Sequence, residues 1–400
     1  MKRKALVIIL LALIISGCHK TASNLSYDIN AENLGDEVNL NLTDLANSFK
    51  LIPLETTEGS LLDNQTEFYV NEDFILAYSE NGVFKFSPSG KFLKKLIGLG
   101  RGPTEIVNFS GCIFVVDENN DLLYISNRTN TGTYLRYDLR SERFIEPVKR
   151  ANNAFGYFDI VNDSVIIVSN QLSDSKFAVY YQNLKGEFLS GLTNTKKFIS
   201  RKKELPQICI LLKHDPQYYC WFQYDDTLFQ IKDNKLVPYL ALTFKDHRDN
   251  PPEETLKDGD RFIYYQSGTP SFLIIHIEIV EDKKSFFSVP SGGKGYYLLF
   301  NHFSGKASKI NSFTDNFIGA TKDPKTLSQV DILNPFFLKL SPNGRIITAY
   351  YPNQIKKAIE KGLNNKEFPI GINEQLIEIN KNLQETDNPV LLVGKIKDKI

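Results

Sequence analysis

The feature that most constrains the fold is a unit of short strands and tight turns that recurs along most of the chain. In the first clear unit, short apolar runs are separated by Asn81-Gly82 and by Ser87-Pro88-Ser89-Gly90. Asn-Gly and Pro-Ser-Gly sequences between apolar runs are typical of hairpin turns. Comparable units recur every ~40–50 residues with about four strands in each, which is the pattern of a β-propeller. A β-sandwich also alternates strands and turns, but it does not require a sustained period.

The repeats predict an all-β fold, a six-bladed β-propeller built from four-stranded antiparallel blades. The blades are expected at about 68–107, 111–150, 155–195, 207–245, 260–311 and 334–400. A helical pattern over about 353–383 interrupts the last blade, where Pro352 suits a first helical turn and Gly362 a C-terminal cap. Pairing of the segment 49–54 with the last blade would close the ring and hide an open sheet edge.

Composition agrees with a strand-rich globular chain. Phe and Tyr are abundant, at 28 and 19 residues, and 42% of the chain is hydrophobic, which excludes extensive disorder. Basic and acidic residues balance at 47 each, so the chain has no basic field for nucleic acid. The tyrosines are expected to pack between blades, with stacking on sugars or peptides as the alternative.

The N-terminus has the pattern of an export signal. Lys2, Arg3 and Lys4 precede the apolar run 5–15, which is too short to span a membrane and fits the central region of a signal peptide. Ile15-Ser16-Gly17-Cys18 resembles the bacterial lipobox, and this resemblance implies cleavage after residue 17 and lipid attachment at Cys18. A plain signal peptide is the alternative.

These features divide the chain into a signal peptide over 1–17, a polar lipid-anchored tether over 18–48 and one propeller domain over 49–400. Some bacterial lipoproteins resemble one another in carrying an acidic cluster after the lipidated Cys as a surface-export tag, and none follows Cys18. We therefore expect a cell-envelope protein on the periplasmic side of the outer membrane, with surface exposure as the alternative.

Five segments resemble the bacterial six-bladed β-propeller lipoproteins, a largely uncharacterised NHL-like group. They are Ile52-Pro53-Leu54-Glu55-Thr56, Phe86-Ser87-Pro88-Ser89-Gly90-Lys91-Phe92, Gly98-Leu99-Gly100-Arg101-Gly102-Pro103-Thr104-Glu105, Asp226-Thr227-Leu228-Phe229-Gln230-Ile231 and Asp387-Asn388-Pro389-Val390-Leu391-Leu392. The resemblance covers nearly all of 49–400 and implies the fold. It implies no reaction, because the group has no established catalytic motif.

Two pairs of residues are candidate ligand-facing groups. Arg101 and Glu105 lie on a glycine-rich loop that we interpret as a connection between blades, and they are predicted to face the central opening. His276 and Glu278 share one face of a predicted strand and could form an acid–base pair or contribute to a metal site. The simpler interpretation of that face is the polar side of a half-exposed strand.

The sequence favours neither a bound metal ion nor a disulfide bond. No cofactor is predicted, although acidic turns such as Asp225-Asp226 could supply oxygen ligands for Ca²⁺ in the central channel. Cys112, Cys209 and Cys220 lack metal-ligand spacing. Buried free thiols are the favoured interpretation, with a Cys209–Cys220 disulfide as the alternative.

The sequence favours a non-catalytic binding or scaffold protein, with its ligand site on one propeller face or in the central channel. The expected partners are the membrane, through the lipid anchor, and a small molecule, glycan, peptide or envelope protein, but no nucleic acid. The alternative function is a propeller enzyme, either a metal-dependent lactonase-like hydrolase or a lyase.

Overall fold

A computed structural model of the protein describes most of the chain between residues 25 and 397. The described residues are 25–31, 33–102, 105–109, 111–127, 132–152, 156–170, 175–194, 209–214, 217–222, 225–244, 259, 261–279, 295–318, 320–322, 339–341, 343–365 and 374–397. Six small antiparallel sheets form a ring, so the predicted six-bladed propeller is confirmed.

The N-terminal elements come first in the chain and are distributed over three blades. They are β1 (Tyr27–Asn30), β2 (Gly35–Asn41), a single helical turn α1 (Leu42–Leu45) and β3 (Ala46–Pro53).

Blades 1, 2 and 3 follow in sequence order. Blade 1 contains β4 (Glu67–Val70), β5 (Ile75–Ser79), β6 (Gly82–Phe86) and β7 (Phe92–Leu99), with the two-residue β8 (Glu105–Ile106) at its edge. Blade 2 contains β9 (Ile113–Asp117), β10 (Leu122–Ser126), β11 (Thr133–Asp138) and β12 (Arg143–Lys149). Blade 3 contains β13 (Phe158–Asn162), β14 (Val165–Ser169), β15 (Phe177–Asn183) and β16 (Phe188–Thr193).

Blades 4, 5 and 6 complete the ring. Blade 4 contains β17 (Cys209–His214), β18 (Gln217–Phe222), β19 (Thr227–Lys232) and β20 (Lys235–Thr243). Blade 5 contains β21 (Arg261–Gly268), β22 (Phe272–Ile279), β23 (Gly295–Asn301) and β24 (Lys306–Asp315), with β25 (Ala320–Lys322) beside β24. Blade 6 contains β26 (Lys339–Ser341), β27 (Arg345–Tyr350), α2 (Pro352–Asn365), α3 (Glu374–Asn382), β28 (Val390–Ile396) and β3.

The first strand of each blade is the innermost strand. Strands β9 and β13 contact each other, as do β17 and β21, so the first strands of neighbouring blades approach one another around the axis. The turns between first and second strands therefore surround one end of the central channel. The fourth strand lies at the outer edge of blades 2, 3 and 6, whereas blades 1, 4 and 5 each have a further strand outside it.

The ring closes by pairing of the N-terminal strand β3 with the C-terminal strand β28. The two strands are antiparallel, with Leu51 opposite Leu392 and Pro53 opposite Val390. This confirms the predicted role of the segment 49–54. The turn at Gly90 packs against the end of β3, because a Cβ at Gly90, where φ is 86°, would lie 2.0 Å from the Pro53 carbonyl oxygen.

The predicted polar tether over 18–48 is wrong for most of its length. Strand β1 pairs in parallel with β20, and β2 pairs in parallel with β24, so blades 4 and 5 each gain a strand on the outer edge. The edges of these blades offer unpaired backbone groups, and the N-terminal segment can satisfy them while burying Leu40 and Leu42. The ordered propeller therefore begins near residue 27. The signal peptide and Cys18 lie outside the described residues.

The helical insert in the last blade is confirmed as α2 and α3. Pro352 is the first residue of α2, and Ile355, Ala358 and Ile359 pack into the core beside the buried Leu376 of α3. Helix α2 continues to Asn365, so the prediction that Gly362 caps it is wrong.

Aromatic side chains fill the interfaces between blades, as the composition predicts. Fully buried aromatic side chains with less than 2% exposure include Trp221, Tyr124, Tyr134, Tyr137, Tyr180, Tyr265, Tyr297, Tyr350, Phe86, Phe272 and Phe300. Tyrosine hydroxyls also link blades, since Tyr350 donates to Asp315 at 2.7 Å and Tyr265 donates to the Asp226 carbonyl at 2.6 Å. Cys209 and Cys220 are buried free thiols and Cys112 is a half-buried one, as favoured.

Candidate functional site

Polar side chains gather at one end of the channel, where the first strand of each blade turns into the second. We call this end the hairpin mouth and define it by Glu72, Glu118, Asp163, Asn343 and Arg345, which lie at or beside these turns in blades 1, 2, 3 and 6. The three carboxylates are exposed, whereas Asn343 and Arg345 are half-buried. The turns bring together residues that are up to 273 positions apart in the chain.

Blades 6, 1 and 2 are connected at the mouth by side-chain hydrogen bonds. Asn343 of blade 6 donates from Nδ2 to the Val70 carbonyl of blade 1 at 2.9 Å and to Glu118 Oε1 of blade 2 at 3.2 Å. The Tyr69 hydroxyl donates to the same Glu118 oxygen, and Arg345 forms an ion pair with Glu72. Glu118 of blade 2 thus accepts hydrogen bonds from blades 6 and 1 and connects the three blades.

The same chain of contacts continues through blades 2, 3 and 4. Asn120 donates from Nδ2 to Asp163 Oδ1 of blade 3 at 3.1 Å. Asp159 on the inner strand β13 accepts a 2.9 Å hydrogen bond from the Tyr218 hydroxyl and pairs with Lys213 Nζ at 3.2 Å, both from blade 4. Five consecutive blades are therefore joined by polar contacts near the axis.

The electrostatics of the mouth favour acceptance of hydrogen bonds. Among the residues that make these contacts, the carboxylates of Glu72, Glu118, Asp159 and Asp163 outnumber the cations of Arg345 and Lys213. Burial, and then the hydrogen bond to Glu118, raise the pKa of Tyr69, so its hydroxyl stays protonated as a donor. A rigid, acceptor-rich rim of this kind can bind a ligand that carries several hydrogen-bond donors.

A second polar group lies between blades 4 and 5, and we call it the histidine cluster. It consists of His214, His302, Tyr27, Tyr219 and Tyr239. The His214 and His302 rings are 5.7 Å apart, and His302 Nδ1 lies 2.7 Å from the Tyr239 hydroxyl. In the described part of the chain, neither nitrogen of His214 has a hydrogen-bond partner, and neither does His302 Nε2.

Both imidazoles of the histidine cluster are held neutral. Burial, and secondarily the proximity of His302, lower the pKa of His214 to about 3, and burial lowers the pKa of His302 to about 4. No carboxylate is among the five cluster residues to offset this burial. The cluster is therefore uncharged at neutral pH, and its imidazoles become protonated only in acid.

Arg101 and Glu105 do not face the channel, so that prediction is wrong. Strand β8, which begins at Glu105, pairs in parallel with β7, the fourth strand of blade 1, and this places the loop at the outer edge of the ring. Both side chains are exposed, and Glu105 accepts a 2.6 Å hydrogen bond from the Gly102 amide. The carboxylate stabilises its own loop.

His276 lies in a buried strand, not in a half-exposed one. Both faces of β22 are covered, because residues 272–277 are all buried between blades 4 and 6. The His276 ring packs against Tyr297 at 4.6 Å, and burial lowers its pKa to about 4. The side chain of Glu278 lies outside the described residues, so the predicted pairing stays a prediction.

Metal ligands are not concentrated in the part of the chain that the structure describes. Within it, no three His, Cys, Asp or Glu side chains are close enough to hold an ion. The main-chain oxygens of Asp225 and Asp226 accept hydrogen bonds from Trp221 and Tyr265. Calcium in the channel stays a prediction.

Sequence reasoning missed the mouth residues Glu118 and Asn343 and the inner-strand residues Asp159 and Lys213. Each appears as an isolated polar residue on or near a turn, which is the ordinary surroundings of a solvated side chain. The signal that could have found them is positional, because they occupy the inner strands or the turns that follow these strands in successive repeats.

The ring of six sheets, each built on four antiparallel strands, defines the protein as a six-bladed β-propeller with an acceptor-rich channel mouth. The chain belongs to the family described as a domain of unknown function, DUF4934, whose model matches residues 26–395. The match begins one residue before β1, in agreement with an ordered N-terminal segment. None of the curated proteins compared with the chain is similar to it.

One solved structure supports the same architecture. A protein of Bacteroides fragilis, provisionally described as exported, is 13% identical, with a TM-score of 0.58 over 94% of this chain and 99% of that one. A Bacteroides thetaiotaomicron protein of unknown function is 13% identical, with a TM-score of 0.35 over 66% of this chain and 64% of that one. At these identities the first similarity shows the fold. Of the helices in the described ranges, none is long and apolar enough to cross a membrane.

Proposed function

We propose that the protein is a lipid-anchored binding propeller of the bacterial cell envelope that holds its ligand at the hairpin mouth without catalysing a reaction. The observation that carries this proposal is the continuous set of polar contacts through five consecutive blades at one end of the channel. Such contacts hold the exposed carboxylates in fixed positions, so little side-chain entropy is lost when a ligand binds. The ligand class that fits is rich in hydrogen-bond donors, as are glycans and amine-bearing peptides.

Export and anchoring rest on the sequence and agree with the fold neighbour. The basic start, the short apolar run and the Ile15-Ser16-Gly17-Cys18 sequence together fit a lipoprotein signal. The Bacteroides fragilis protein of the same fold is provisionally described as exported. Several acyl chains on Cys18 would hold the propeller stably at a membrane, whereas a single chain would not.

Conservative substitutions at the mouth test the binding site. Glu118→Gln and Asp163→Asn keep hydrogen-bonding groups in place but remove the charges. We expect each to weaken binding by tenfold or more on an array of defined oligosaccharides and peptides, because charged acceptors form stronger hydrogen bonds than neutral ones. Affinity for the bound array member is the measurement.

The matched control is Glu105→Gln, which removes an exposed carboxylate at the outer edge of the ring. It should change the affinity by less than twofold. Binding that survives both mouth substitutions, or that is lost in the Glu105→Gln variant, would contradict the proposed site.

A further inference from the structure

We propose that the outer corner of blades 3 and 4 docks onto the membrane surface, with Phe188 and Leu189 entering the lipid interface. This inference rests on the proposed lipid anchor, and it adds a second contact with the same membrane. The corner is defined by Phe188, Leu189, Lys185, Lys232 and Lys235.

The direction of β1 places the start of the ordered chain near this corner. Strand β1 is parallel to β20, with Tyr27 opposite Leu240. Strand β1 therefore begins on the side of β20 where its first residue, Lys235, lies in the turn after β19. Residue 18 precedes Leu25 by seven positions, which limits the anchor to within about 25 Å of the blade edge.

The neighbouring strand β16 presents exposed apolar side chains at the same corner. The Ser190 hydroxyl of β16 donates to Asn234 Oδ1 in that turn of blade 4 at 3.2 Å. Immediately before Ser190, Phe188 is 46% exposed and Leu189 is 50% exposed. The Phe188 ring is stacked on Phe177 at 4.9 Å, which holds it in place at the edge.

The edge strands of the ring differ in how they are protected. Strand β12 of blade 2 carries charged residues and Pro147, which discourage pairing with another strand. Strand β16 contains no charged residue and no proline. A lipid surface can cover these apolar side chains without requiring a partner strand.

Basic residues surround the apolar pair. Lys185, Lys232 and Lys235 are exposed in the two turns, and Lys149 is exposed beside Gly186. The acidic residues in these turns are Glu187 and Asp233, and Glu187 already accepts a 2.6 Å hydrogen bond from Asn183. The balance is positive and suits anionic lipid headgroups.

The corner also lies on the same side of the ring as the hairpin mouth. In an antiparallel blade, the turn between strands one and two and the turn between strands three and four are at the same end. Docking at the corner would therefore hold a ligand in the mouth close to the membrane surface.

The test measures partitioning of the mature chain, which begins at residue 18 and carries Cys18→Ala, onto vesicles of equal parts phosphatidylglycerol and phosphatidylethanolamine. In this background, we expect Phe188→Ser with Leu189→Ser to lower the partition coefficient about tenfold, because two half-exposed apolar side chains no longer enter the interface. The control pair is Leu93→Ser with Leu99→Ser, whose side chains are 49% and 52% exposed on the outer strand of blade 1. We expect less than a twofold effect from the control pair.

Equal effects of the two pairs, or no measurable partitioning of the Cys18→Ala chain, would overturn the docking proposal. The proposal would also be overturned if the chain sediments as a dimer and the Phe188→Ser, Leu189→Ser pair changes that sedimentation while leaving vesicle partitioning unchanged. That result would identify a self-association surface. Because the assay uses a chain without lipid, its failure leaves the anchor intact. Conversely, an unmodified Cys18 in cells would remove the anchor but leave a positive vesicle result standing.

Discussion

Replacing Asn388 with Ala is expected to lower the free energy of unfolding by about 3 kcal/mol. Asn388 is 3% exposed and lies just before β28. Its Oδ1 accepts from the Leu62 amide at 3.0 Å, and its Nδ2 donates to the carbonyl oxygens of Glu55 at 2.9 Å and Ser60 at 2.7 Å. Truncation leaves buried backbone groups without partners, at about 1–3 kcal/mol for each unsatisfied group.

The size of this effect follows from where the side chain lies in the ring. The segment 55–62 follows β3 and residue 388 precedes β28, so this one amide joins the two ends of the chain that close the propeller. Urea unfolding followed by Trp221 fluorescence is the measurement. The control is Asn382→Ala at the exposed end of α3, which should cost less than about 0.5 kcal/mol. Similar unfolding midpoints for the two variants would show that Asn388 does not hold the closure.

The second large effect is a loss of stability when the pH falls from 7 to about 4. The pKa values of His214, His276 and His302 are lowered from the ordinary 6.5 to about 3, 4 and 4, in each case chiefly by burial. In the window between 6.5 and these values, the unfolded chain binds protons that the folded chain does not. Stability is therefore fully present above about pH 6.5 and decreases as the pH falls.

The magnitude is several kcal/mol for the three groups together, since one pKa unit corresponds to about 1.36 kcal/mol. Urea unfolding at a series of pH values between 7 and 4 measures this loss. The His214→Phe variant keeps a ring in the interface but removes one titrating group. Its stability should depend less steeply on pH, by up to about 1.4 kcal/mol per pH unit. An unfolding free energy that is constant down to about pH 4.5 would contradict the buried, neutral state of these histidines.

The fold could be predicted from the sequence because each repeat can be recognised from neighbouring residues alone. Turn sequences such as Ser87-Pro88-Ser89-Gly90 separate apolar runs, and the number of complete units leaves the last blade one strand short. The segment 49–54 was the available strand for that position. Its pairing with β28 could therefore be predicted, because it supplies the missing fourth strand of the last blade and covers an open sheet edge.

The N-terminal segment could not be assigned in the same way. Residues 27–30 and 35–41 contain few apolar side chains, so their composition is that of a tether. They become strands because the outer edges of blades 4 and 5 supply hydrogen-bonding partners that are more than 200 residues away in sequence. Local pattern carries no information about such partners.

The candidate site was missed for the same reason, and β22 was misinterpreted for a related one. Asn343 and Glu118 are ordinary turn residues until the ring brings blades 6, 1 and 2 together. In β22, alternation suggested a polar face around His276, but a propeller blade has a neighbour on each face. Both sides of a central strand are therefore buried, and the rule of one exposed face does not apply.

The central claim, an envelope-anchored binding propeller, is tested most directly by the mass of its N-terminal peptide. The protein is extracted from membranes of the native host, digested with trypsin and analysed by mass spectrometry, with a Cys18→Ala variant fractionated in parallel. We predict a peptide that begins at Cys18 and carries acyl chains, and release of the Cys18→Ala protein from the membrane. An unmodified Cys18, or membrane retention of the variant equal to that of the unaltered protein, would contradict the account.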